Sequence, residues 1–161
     1  MRYVVSLGVL LLSAGAALAD EAPPPDDAPA AQQEPLVQQR GEASNYSDKF
    51  QGQKTATGDR FSQHKLTAAS PSLPLGSRVT VTNETNGRSV NVTVNDRGPY
   101  VDGRVIDLSK KAAEKLKMKE DGVAPVTVEA RPSSQPTEEL KQKLEQKAAT
   151  QSDAPEQEAA K

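Results

Sequence analysis

The apolar residues of this chain are gathered in one stretch, and within it they alternate with polar ones. Arg78-Val-Thr-Val-Thr and Ser89-Val-Asn-Val-Thr-Val place valine at every second position, the period of a strand with one face buried. Asn86-Gly87 stands between them as a turn signal, so the two are expected to pair as a hairpin. Arg104-Val-Ile-Asp-Leu reads as a third strand and Ala124-Pro-Val-Thr-Val-Glu-Ala as the last. Gly41-Glu-Ala-Ser-Asn-Tyr and Leu66-Thr-Ala-Ala supply two shorter ones, and Ser109 is placed to cap a helix over Lys110 to Leu116. Six short strands with one short helix and frequent turns predict an all-β fold, a small closed barrel.

The barrel sequence is bounded on both sides. Aromatic residues make up only 3% of the chain and hydrophobic ones 35%, too little to build a core along the whole length. Residues 1–19 read as an export signal: Arg2, an apolar run from Val4 to Leu12, then Ala17-Leu18-Ala19 as a cleavage site before Asp20. The run is too short to span a bilayer. Residues 20–39 carry Pro23-Pro24-Pro25, Pro29, Pro35 and five acidic residues without Lys or Arg, the composition of an extended acidic linker. Residues 132–161 are rich in Ser, Gln, Glu, Lys and Ala. Within them, Glu138 to Ala149 is expected to be a fraying helix in a mobile polar tail, because Leu140 and Leu144 alone give it a narrow apolar face. The domain is therefore expected over Arg40–Arg131. With no cysteine in the chain, neither disulfides nor a lipid-bearing cysteine are expected. The mature protein is read as a monomer exported to the periplasm or beyond, without a stable membrane anchor.

Charge follows the same boundaries. Arg40–Arg131 holds 15 basic against 11 acidic residues, while both flanks are acidic. A mildly basic exported domain suits an anionic envelope polymer. Nucleic acid is not expected as a partner, because the basic residues are dispersed and stacking aromatics are few. Nothing has zinc spacing or the form of a phosphate-binding glycine loop, so no metal and no cofactor are expected. The one histidine, His64, lies between Gln63 and Lys65 and reads as a solvated loop residue.

Carboxylates remain as the source of chemistry. Asp96 opens Asp96-Arg97-Gly98-Pro99-Tyr100, where it is either a turn residue bonding nearby amides or an acid facing a groove. Asp107 sits inside Val105-Ile106-Asp107-Leu108. Alternation puts Ile106 and Leu108 on one face and Val105 and Asp107 on the other. An acid among apolar neighbours keeps its proton more readily, as a general acid must; the other reading is that Asp107 caps the following helix.

Seven segments, in order and spacing, resemble the rare lipoprotein A domain: Gly41–Tyr46, Thr55–Phe61, Leu66–Ser70, Leu73–Val79, Asn86–Val90, Val94–Tyr100 and Gly103–Ser109. The resemblance covers nearly all of Arg40–Arg131 and neither flank. It implies a six-stranded double-psi β-barrel, shared with expansins, and lytic cleavage of peptidoglycan glycan strands that lack stem peptides. By the resemblance, Asp96 and Asp107 are the essential carboxylates. Asp59, which stands where the family usually has Glu, is expected beside them as a third catalytic carboxylate, and Ser70 stands where the family usually has His. Asn45, Tyr46, Ser70, Arg97 and Tyr100 are then the expected sugar contacts. In such a reaction one acid protonates the glycosidic oxygen and, as a base, accepts the proton of the muramic acid 6-hydroxyl. No water attacks, so a hydrolase's pair of carboxylates is not required. One other reading stays open, a non-catalytic wall-binding module of expansin type, favoured by Ser70; the blocks around Asp59, Asp96 and Asp107 argue against a third, a secreted interaction protein such as a protease inhibitor.

Overall fold

The computed structural model describes residues 34–118 and 122–152. The expected export signal and residues 20–33 of the acidic linker lie outside the described residues. Six strands close into a barrel: β1 (Val37–Asn45), β2 (Thr67–Ala69), β3 (Arg78–Asn83), β4 (Ser89–Asp96), β5 (Arg104–Leu108) and β6 (Val123–Ala130). Their order around the barrel is β1-β5-β2-β4-β3-β6. The β1–β5 and β2–β4 pairs run parallel and the other four antiparallel, the mixed closed barrel that the resemblance implies.

The valine alternation explains the centre of this sheet. Val79 and Val81 of β3, Val90, Val92 and Val94 of β4, and Val126 and Val128 of β6 all point inward and are buried. Each such side chain contributes about 1.5–3 kcal/mol by leaving water. Arg78 to Thr82 pair with Thr93 to Ser89, and the turn between them carries Gly87 at φ +69°, a conformation that glycine adopts without steric cost. Ile106 and Leu108 face the core from β5. Helix α1 (Lys110–Lys115) starts at Ser109, whose hydroxyl accepts from the Ala112 amide; the cap is this serine and not Asp107.

Both domain edges differ from the sequence reading. The first strand begins at Val37, inside the expected linker, and Val37 is fully buried opposite Ala130. Only Val37 and Ala43 of β1 are buried apolar residues. The strand is held instead by ladders on both sides, to β5 and to β6, which composition does not reveal. Gly41 belongs here for a steric reason: a Cβ on it would meet Val105 Cγ1 at 2.6 Å and the Gly103 carbonyl at 2.8 Å.

The expected free tail is docked. Helix α2 (Glu138–Ser152) packs on β1 and buries Leu144 and Ala148. Polar anchors supplement its narrow apolar face. The Gln135 side chain accepts from the Arg78 amide and donates to the Arg78 carbonyl, both at 2.9 Å. Glu34, whose carboxyl is held below its usual range mainly by the Ser133 hydroxyl and amide, ties the start of the domain to the turn before α2. Leu144→Ala is expected to lower stability by about 2–4 kcal/mol in urea unfolding. An unchanged midpoint would mean that α2 does not share the core.

Candidate active-site groove

Two irregularities in the barrel ladders set up the site. Along β1–β5, Glu42 faces Arg104 and Ala43 faces Ile106, so Val105 is an extra residue. Along β2–β4, Ala68 faces Val94 and Ala69 faces Asp96, so Asn95 is extra. A bulge breaks strict alternation and re-aims the side chains beside it. Arg104 and Asp107, an odd number of positions apart, thereby meet in an ion pair. Val94 and Asn95 are consecutive and both buried, and Asp96 emerges at the end of β4.

Both carboxylates open into one groove of about 600 Å³, lined by residues from 45–54 and 96–101 together with Phe61, Arg104 and Asp107. All four aromatic side chains of the described residues line it: Tyr46, Phe50, Phe61 and Tyr100. Tyr46 packs edge-on against Phe50, with centroids 5.3 Å apart, and tilted against Phe61 at 4.6 Å. Tyr100 is 82% exposed, a large apolar surface left in water beside two acids. Such exposure excludes a packing role and leaves the ring face open to a ligand in the groove.

Asp96 accepts three hydrogen bonds. Oδ1 takes the amides of Ala56 (3.0 Å) and Arg97 (2.9 Å), and Oδ2 takes the Tyr46 hydroxyl at 2.7 Å. Its turn role thus reaches the amide one residue on, as a turn residue would, and also across to a distant loop. Burial, and then the hydrogen bond to Asp96, push the Tyr46 phenol well above its ordinary range, so Tyr46 is a neutral donor. Gln63 positions that tyrosine: its amide donates to the Tyr46 carbonyl at 2.8 Å while its oxygen accepts the first amide of α1. Nothing in the sequence around Gln63 signals this.

Asp107 does not have the apolar surroundings expected of it. Its Oδ1 accepts from the Ser44 hydroxyl and from Arg104, and Arg104 also donates to Ser44 Oγ. The register explains the cluster, since Asp107 lies beside Ser44 across the parallel β1–β5 pair.

The remaining expected residues divide. Asn45, Tyr46, Arg97 and Tyr100 line the groove with the two acids. Arg97 also holds the backbone, donating to the Ser70 and Leu73 carbonyls at 3.0 and 2.7 Å. Ser70 does not reach the groove. It is fully buried, and its hydroxyl accepts from the Ser72 and Leu73 amides, a small hydroxyl closing a turn where an imidazole would need more space. Asp59 is exposed and does not line the groove. It accepts from Thr57 Oγ1 at 2.9 Å, and the Thr57 amide donates to Asn95, so Asp59 shapes the loop whose Ala56 amide holds Asp96. His64 is exposed, as expected. Phe50, Phe61, Lys49, Lys54 and Arg104 also line the groove. The sequence reading missed them, although the scarcity of aromatics was a usable signal.

Residues 38–128 match the family described as lytic transglycolase. A protein of Nostoc sp. described as "Probable endolytic peptidoglycan transglycosylase RlpA" is 58% identical over 92 residues, which is 56% of this chain and 25% of that one. The Rickettsia bellii "Endolytic peptidoglycan transglycosylase RlpA" is 55% identical over 82 residues, 51% of this chain and 36% of that one. This chain therefore spans well under half the length of the two relatives. Among solved structures, Streptomyces papain inhibitor superposes with a TM-score of 0.48 at 26% identity, covering 59% of this chain and 96% of that one.

Proposed function

Because the chain belongs to the lytic transglycolase family, we propose that it is a peptidoglycan lytic transglycosylase, a lyase that cuts glycan strands lacking stem peptides. It would break the bond between N-acetylmuramic acid and N-acetylglucosamine and leave 1,6-anhydro ends. The observation that carries this reading is that the groove gathers Asp96, Asp107 and every aromatic side chain of the described residues. Aromatic faces suit the carbon faces of sugar rings, and the acids suit the linking oxygen between them.

Asp96 is the acid–base group in this reading. Its Oδ2 is engaged only by Tyr46, a neutral phenol, whereas Asp107 is taken up by Arg104 and Ser44. Protonated Asp96 gives its proton to the glycosidic oxygen as the C1–O bond breaks. The resulting carboxylate then accepts the proton of the 6-hydroxyl, whose oxygen closes on C1. The Ala56 and Arg97 amides and Tyr46 hold the carboxylate in place through both halves of the reaction. The Asp107–Arg104–Ser44 cluster keeps Arg104 oriented in the groove. A peptidoglycan substrate would put this activity outside the cytoplasmic membrane, and the export-type segment at residues 1–19 supports that reading.

Ser70 favours a second reading, a wall-binding module of expansin type. Where the family usually has a histidine, this chain buries a serine that only its own turn uses. Size-exclusion chromatography of purified peptide-free glycan separates the two. Incubation with the full chain is expected to shorten the strands; strands that bind yet keep their length sink the enzymatic reading.

A further inference from the structure

Four basic side chains line the groove, Lys49, Lys54, Arg97 and Arg104, against two acidic ones, Asp96 and Asp107. Two of the four are committed elsewhere. Arg104 pairs with Asp107, and Arg97 is fixed on two backbone carbonyls. Lys49 and Lys54 are exposed and make no ion pair among the described residues. Lys49 Nζ stands 5.2 Å from the centre of the Phe50 ring, so ammonium and aromatic surface adjoin. The groove thus offers ring-binding faces with uncompensated positive charge beside them.

We infer that Lys49 and Lys54 bind a carboxylate carried on the sugar, so that the groove selects strands whose acid substituents are free. This rests on the glycan reading of the same groove and adds to it the group that is recognised. Muramic acid bears a lactyl carboxylate. An attached stem peptide turns that anion into a neutral amide; removal of the peptide restores it. Preference for bare strands then follows from charge at two lysines, beyond any exclusion of the peptide by bulk. Two exposed ammonium groups give a modest, salt-screened attraction, suited to selecting a strand and not to anchoring it.

Charge and bulk are separated by converting the lactyl carboxylates of peptide-free glycan to methylamides, which removes the charge with little added volume. Calorimetric titration of the full chain with both strands is expected to give about five- to tenfold weaker binding of the methylamide form, with the gap narrowing as salt rises. The K49Q/K54Q double variant is expected to bind both strands alike, near the weaker affinity. Its unfolding midpoint serves as the control for folding. Equal affinity of wild type for the two strands, within about twofold, overturns the inference, as does full preference retained in the double variant. If wild type binds neither strand, it is the glycan reading itself that fails.

Discussion

Asp96→Asn is expected to lower the rate of strand cleavage by roughly a hundredfold or more, the scale of a lost acid–base group. The same change should move stability by only about 1 kcal/mol or less. The separation follows from the hydrogen bonds. Asparagine keeps an oxygen where Oδ1 accepts the Ala56 and Arg97 amides. Its NH₂ replaces Oδ2, and the Tyr46 hydroxyl can rotate to accept from it. What the variant loses is the ability to give and take a proton. If Asp96 were only a turn residue, stability would change as little and cleavage per folded molecule would be unaffected.

Asp107→Asn is expected to act on both quantities. The asparagine oxygen can still accept from Ser44, but Arg104 loses its charged partner while its side chain remains only 26% exposed. The pair lies between a surface and a buried salt bridge, so a cost of about 1–3 kcal/mol is expected. Turnover should also fall, by up to about a hundredfold, the scale of a misplaced group in a site, because Arg104, which lines the groove, is no longer held. A double-mutant cycle with Arg104→Gln reads the coupling directly. Once Arg104 is absent, Asp107→Asn should cost little further stability or rate. Independent, additive losses would show that Asp107 acts on substrate by itself.

The sequence carried the barrel well where side chains decide burial. Val79 to Val94 and Val126 to Val128 alternate because one face of each strand is core, and that period is visible without a structure. It carried less where the backbone decides. β1 is bonded on both sides but has few apolar residues to announce it. The docked helix α2 is secured by Leu144, Ala148 and the Gln135 side chain, and the last of these looks like any surface glutamine. At the site, Asp96 and Asp107 were legible as acids in unusual settings. Their partners were not. The pairing of Asp107 with Arg104 depends on the bulge at Val105, which strict alternation forbids. The loop that holds Asp96 reaches it from Ala56, forty positions away.

The chemical nature of the new chain ends tests the central claim most directly. Purified peptide-free glycan, incubated with the full chain and examined by mass spectrometry, should yield anhydromuramyl ends, each lighter by one water than a hydrolytic end. Asp96→Asn should leave the same strands intact under the same conditions. Ends bearing the added water would contradict intramolecular closure by the 6-hydroxyl, and bound strands without new ends would make this groove a binding site only.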